Sequence, residues 1–167
     1  LPDYAKDIEE TFDHATNVEK LDLTAPQVWG SAYAAAIASR NAKVTKLFEK
    51  LADDHLDERH LEACKGAAAL MGMNNIYWRF WYLVEDKDYL EIPHELSQDF
   101  LEEHNVREDD FECWALAVSV VNACAGCNKA HSRKLLKLGF TKEQVLCVVR
   151  IAAVVHSIAV TLEAEGF

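Results

Sequence analysis

The sequence predicts an all-helical protein, and three observations carry that prediction. Apolar residues recur every three or four positions along most of the chain, which places them on one face of a helix. No stretch of useful length alternates apolar and polar residues as a half-buried strand would. The 3 prolines and 6 glycines among 167 residues are few, and they fall between the helical patterns.

The elements follow in order. Thr24-Ala25-Pro26-Gln27 forms an N-cap with Gln three residues on, predicting a helix through about Ser39. A second helix covers about Ala42 to Ala52. Asp54 or Asp57 then opens a long segment with Leu61, Cys64, Ala68, Met71 and Ile76 on one face, ending in the aromatic stretch Tyr77-Trp78-Arg79-Phe80-Trp81-Tyr82. Pro93 is expected to begin a short helix near Leu96 to Leu101. Asp109 or Asp110 is expected to cap the next helix, with Trp114, Ala117, Val118 and Val121 at helical spacing and an interruption at Ala125-Gly126. A further helix carries Cys127, His131, Leu135 and Leu138, closed by Gly139 at the C′ position. Thr141-Lys142-Glu143-Gln144 repeats the capping signature and opens a last helix to about Leu162.

The chain is expected to form one domain, residues 1–167, built on an internal duplication. A shift of 85 positions superposes Trp29 on Trp114, Ala32 on Ala117, Leu51 on Leu136, Glu58 on Glu143 and Leu61 on Leu146 without gaps. The half-repeats are 27–76 and 112–161. In that register Cys124, Cys127 and His131 lie over Ser39, Ala42 and Lys46, so the first copy is structural and the chemistry stays in the second.

Charge and cysteine usage narrow the function. The 28 acidic residues exceed the 17 basic ones by 11, a field that repels nucleic acid and anionic membrane. No apolar run is expected to span a bilayer, since Ile151 to Val160 is interrupted by His156 and Ser157. Leu1 to Asp7 lacks the pattern of a signal peptide. The 5 cysteines (Cys64, Cys113, Cys124, Cys127 and Cys147) include only one close pair, which points to a reducing, cytoplasmic setting rather than a secreted disulfide framework.

That pair is the candidate reactive centre. Cys124 and Cys127 lie three apart at a helix start, close enough for a disulfide after modest adjustment. A helix N-terminus and a nearby protonated imidazole both stabilise a thiolate. His131 is four residues beyond Cys127, so helical contact favours Cys127 as the activated thiol; the dipole alone favours Cys124. The histidine weighs more. Two other readings stand beside this one: a pair of inert buried thiols, which is the expectation for Cys64, Cys113 and Cys147, and a zinc site that lacks a fourth ligand at motif spacing. Glu112 is either a solvated acid at a helix start or a partner of His131, reached directly, through water or from a neighbouring subunit. The two residues differ by roughly 9 Å in rise from the turn between their helices. His14, His55, His60, His94 and His104 are expected on the surface. His156 is expected in the core or lining the pocket of the cysteines.

Glu112, Asn122, Cys124, Cys127, His131, Gly139 and Thr141 together resemble the carboxymuconolactone decarboxylase superfamily, and its alkylhydroperoxidase D (AhpD-like) branch most closely. Leu1-Pro2-Asp3-Tyr4-Ala5-Lys6 and Ala67-Ala68-Ala69-Leu70-Met71-Gly72-Met73-Asn74-Asn75 extend the likeness. The resemblance implies an all-helical homo-oligomer, commonly a trimer, with a hexamer as the other expectation. It implies a peroxidase that reduces organic hydroperoxides, with no bound cofactor. Electrons would come from a lipoyl-bearing acyltransferase or another dithiol, and a peroxiredoxin would be a further partner. By position, Cys127 would attack the peroxide, Cys124 would resolve the sulfenic acid as a disulfide, and Glu112 with His131 would relay the proton. The branch carries a relay histidine between its two cysteines, where this chain has Gly126. Lactone decarboxylation is disfavoured, because that branch does not rely on paired cysteines. Two other functions stand beside this one: a disulfide reductase or thiol-exchange protein using the same pair, and a non-catalytic redox-sensing helical interaction module. The aromatic stretch Tyr77 to Tyr82 is expected in the core or at a subunit interface.

Overall fold

The computed structural model describes residues 1–167 and contains helices and no strand. A 3-10 turn (Asp3–Ala5) leads into α1 (Lys6–Ala15) and the single-turn α2 (Val18–Leu21). Three longer helices follow: α3 (Ala25–Ala38), α4 (Ala42–Asp53) and α5 (Glu58–Val84). A second 3-10 turn (Lys87–Glu91) and α6 (Phe100–Glu103) connect them to α7 (Glu108–Val121), α8 (Ala125–Lys137) and α9 (Lys142–Ala164).

The starts of these helices follow from side chains that satisfy the first free N–H groups. Thr24 and Gln27 form a reciprocal capping box on α3, and Thr141 and Gln144 form one on α9. Asn41 accepts from the N–H groups of Lys43 and Val44 to open α4, and Asp57 accepts from His60 N–H to open α5. Gly139, with φ of 98°, takes the left-handed conformation just past α8 that closes its last turn.

The core is organised around α3, whose alanine-rich stretch packs against α4, α5, α7 and α9. Small side chains let the backbones approach closely, and the crossing with α7 shows how closely. The fully buried Trp114 lies against Gly30, its indole N–H donating to the carbonyl oxygen of Pro26 at 3.0 Å. Tyr33, Phe48, Phe111, Leu116 and Ile151 complete the interior.

Several details differ from the sequence expectation. The long helix opens at Asp57, one of the two expected caps, and runs two residues past the aromatic stretch to Val84. Pro93 starts no helix; it follows the 3-10 turn Lys87–Glu91, and the next helical turn is Phe100–Glu103. Arg107 precedes α7, and Asp109 and Asp110 sit in its first turn, where they complement the dipole. The helix starts do not keep the 85-residue register: Ala25 and Glu108 are 83 residues apart, as are Ala42 and Ala125, while Glu58 and Lys142 are 84 apart. Asn41 and Val44, rather than Ser39 and Ala42, therefore hold the places on α4 that Cys124 and Cys127 hold on α8.

Helix α9 corrects another expectation. With 23 residues, it is long and apolar enough to cross a membrane by length and composition alone. In this fold its buried side packs on α1, α3 and α7, which accounts for the apolar composition.

Candidate active site

The two cysteines sit at the junction of α7 and α8. Helix α7 ends with both hydrogen bonds of a Schellman closure: Cys124 N–H donates to Ser119 O at 3.1 Å and Ala123 N–H to Val120 O at 3.0 Å. Ala123 adopts the left-handed conformation, φ 53°, that this closure requires. The break thus falls at Asn122-Ala123, ahead of the expected Ala125-Gly126, and Gly126 lies inside the first turn of α8. Cys124 itself is the N-cap of α8, its sulfur accepting from Cys127 N–H at 3.3 Å.

Both sulfurs therefore lie at the positive end of the α8 dipole, an environment that favours the thiolate when they are reduced. Here they are joined as a disulfide, with Cα atoms 5.3 Å apart. Their surroundings differ. Cys124 is fully enclosed, whereas Cys127 lines two cavities of about 230 and 260 Å³.

The smaller cavity holds the polar groups of the site. Glu112 on α7 and His131 on α8 meet directly within the chain, Glu112 Oε2 to His131 Nδ1 at 2.8 Å. The other imidazole nitrogen, Nε2, faces the Met71 sulfur on α5 at 3.2 Å. A thioether and a carboxylate both accept, so a ring carrying a proton on each nitrogen satisfies both. Neither nitrogen faces Cys127 in the disulfide form, so the expected i,i+4 contact is a shared cavity rather than a hydrogen bond. Burial pushes the Glu112 carboxyl upward, but the hydrogen bond and charge of His131, with Lys134 beside it, outweigh that and hold it below its ordinary value. Lys134 Nζ reaches Glu112 Oε1 at 3.4 Å and Glu108 Oε1 at 2.6 Å.

Behind the turn, Asn75 on α5 donates to Ser119 Oγ at 2.9 Å and accepts from Asn122 Nδ2 at 3.0 Å. Arg79 donates to the Asn122 carbonyl at 3.0 Å. These bonds tie the last turn of α7 to α5 and fix the approach to Cys124.

Spacing alone could not find Met71, Lys134 or this amide network. Met71 has the pattern of a core residue, and Lys134 that of a solvated charge. The other cysteines are buried free thiols; burial pushes Cys64 and Cys113 well above the ordinary thiol value, which disfavours the reactive thiolate. His14, His55 and His94 are exposed as expected, while His104 is partly buried and stacked on Phe111 at 4.2 Å. His156 neither enters the core nor lines the site; it is exposed, 3.2 Å from Ser39 Oγ.

An all-helical chain with a disulfide at a helix N-terminus, beside a partly buried Glu–His pair, defines a class of dithiol oxidoreductase. The sequence pattern of the carboxymuconolactone decarboxylase family matches residues 88–166. The chain is 42% identical over 166 residues to the alkyl hydroperoxide reductase AhpD of Rhodospirillum centenum, an alignment covering 99% of this chain and 88% of the relative. Its identity to the protein of that name from Koribacter versatilis is 40%, covering 99% and 84%, and to that from Coxiella burnetii 40%, covering 95% and 90%. The chain belongs to the carboxymuconolactone decarboxylase family, in the group of these AhpD proteins.

Proposed function

We propose that this protein is a thiol-dependent peroxidase that reduces organic hydroperoxides through Cys127 and Cys124. One observation carries the reading: Cys127 is the sulfur open to the cavity that also holds Glu112 and His131, and Cys124 is sealed behind it. The names of the relatives support the same reaction class.

The chemistry follows from that division. The Cys127 thiolate attacks the terminal oxygen of R–O–OH, the O–O bond breaks, and the alkoxide takes a proton to leave as R–OH. Cys127 is then a sulfenic acid. The Cys124 thiol condenses with it, forming the S–S bond and releasing water. An external dithiol restores both thiols and becomes a disulfide itself. His131 is suited to supply the proton for the alkoxide, because its ring lies in the cavity and is oriented by Glu112. Glu112 is in turn held by Lys134.

Electrons would come from a protein-borne lipoyl group or another dithiol, and a peroxiredoxin is a further electron acceptor that suits this chemistry. The buried free thiols Cys64, Cys113 and Cys147 suit a reducing compartment such as the cytoplasm. Ile76, Phe80 and Leu83 form an exposed apolar stripe along α5, Leu83 at 76% exposure, which supports a homo-oligomer such as a trimer.

Stopped-flow mixing of the reduced protein with an alkyl hydroperoxide tests the function. Rapid consumption of one peroxide per dithiol, with formation of the Cys124–Cys127 disulfide, is the expected result. A protein that exchanges with dithiols and leaves hydroperoxide unconsumed would be a thiol-exchange protein instead.

A further inference from the structure

Cys127 and Ala130 lie between two unlike cavities, with Trp78 opposite them on α5. On one side are Glu112, His131, Lys134 and Asn74, which offer charge and protons. On the other are Trp81, Tyr82 and Gly126, which offer aromatic faces and bare backbone. A hydroperoxide has the same two-sided chemistry: an oxygen that leaves as an alkoxide and needs a proton, and an organic group that needs none. With the peroxide oxygens toward His131, the organic group falls on the aromatic side.

Gly126 explains how that side is formed. A Cβ added there would collide with the Tyr82 ring, at Cε2, Cδ2 and Cζ. The ring from α5 therefore fills the side-chain space of residue 126, in the same turn as Cys127. Trp78, Trp81 and Tyr82 are spaced i, i+3 and i+4, so they share one face of α5, and that face lies over Gly126, Cys127 and Ala130. The resulting cleft is about 260 Å³. An apolar cavity of roughly 150 Å³ accommodates benzene, so an aryl or branched alkyl group fits.

We propose that Tyr82, seated over Gly126, is a specificity-determining residue whose ring forms the wall against which bulky apolar hydroperoxides bind in preference to hydrogen peroxide. This rests on the peroxidase reading and narrows its substrate to aryl and branched alkyl hydroperoxides. The wall acts through ring contact; the phenol hydroxyl has no hydrogen bond within the chain. Tyr82 is 46% exposed, so truncating it spares the core.

The test compares rate constants of the reduced full-length protein with cumene hydroperoxide and with hydrogen peroxide. The wild-type ratio should favour cumene hydroperoxide. Tyr82→Ala should lower that ratio roughly tenfold, the loss expected when a bulky apolar group gives up one aromatic face. Tyr82→Phe should keep it. Gly126→Ala, which drives the ring outward, should lower the ratio as Tyr82→Ala does, and adding it to Tyr82→Ala should change little further, because both act on one contact. An unchanged ratio in Tyr82→Ala overturns the inference, and so does a Tyr82→Phe variant that falls as far as Tyr82→Ala. A wild-type protein that consumes neither peroxide removes the peroxidase reading itself. One that consumes both with no preference removes only this inference.

Discussion

At the residue scale, the two cysteines share a dipole but not an environment, and the proposed division of their roles rests on that difference. Cys127 opens onto the cavity with His131, and Cys124 caps the helix from inside. His131→Ala should slow the peroxide step on the order of a hundredfold, the range of a positioned acid or base, with the disulfide still able to form. Glu112 carries a pH prediction. Its folded-state pKa lies below its unfolded value, so its contribution to stability is present above about pH 4.5 and is lost as the pH falls through the lowered value. Thermal melts between pH 3 and 7 should show Glu112→Gln flattening this acid-side slope; an unchanged slope would contradict the pairing. The pair Cys124–Cys127, His131 and Glu112 was legible because all four lie within two adjacent helices. Met71 was not, since a methionine sixty residues away in sequence has the same spacing signature whether it touches a core or an imidazole.

At the scale of elements, helix starts marked by a Thr or Asp cap were legible, while the start of α7 and the break before the site were not. Thr24, Thr141 and Asp57 cap helices through the side-chain chemistry that their residue types advertise. The junction before the site does not follow that grammar. Ala123 takes a left-handed conformation usually given to glycine, and Cys124 caps a helix in place of Ser, Thr, Asn or Asp. Gly126 therefore suggested a break three residues too late; its glycine serves the close approach of Tyr82 instead. Another glycine of this kind gives a sharper test. Gly30→Ala would drive a methyl group into the buried Trp114 ring and should destabilise the fold by about 1–3 kcal/mol in denaturant unfolding, the usual cost of overpacking. A variant as stable as the parent would mean that the α3–α7 crossing has slack that the structure does not show.

At the scale of the whole molecule, the all-helical class was readable because the 3.6-residue period runs through nearly the entire chain. The internal duplication was not. Its ungapped offset of 85 rests on identities among alanine- and leucine-rich helices, and the helix starts it pairs lie 83 or 84 residues apart. The aromatic stretch was ambiguous for a different reason. A helix apolar all round looks alike whether its outer face meets core or a second copy, and in the single chain Ile76, Phe80 and Leu83 remain exposed. Light scattering at micromolar concentration should give the mass of a homo-oligomer, a trimer in the reading favoured here. A monomer would leave that stripe without the second copy proposed to cover it. Charged substitution at Leu83 should lower the measured mass.

The division of labour between the sulfurs is the central claim, and mass spectrometry of the two serine variants after hydroperoxide treatment tests it most directly. In Cys124→Ser, Cys127 should gain oxygen, first as a sulfenic acid and then by overoxidation, because its resolving partner is gone. In Cys127→Ser, Cys124 should remain a thiol over the same time, enclosed where the peroxide does not reach it. Oxygen found on Cys124 in the Cys127→Ser variant, with Cys127 unmodified in the other, would contradict the account.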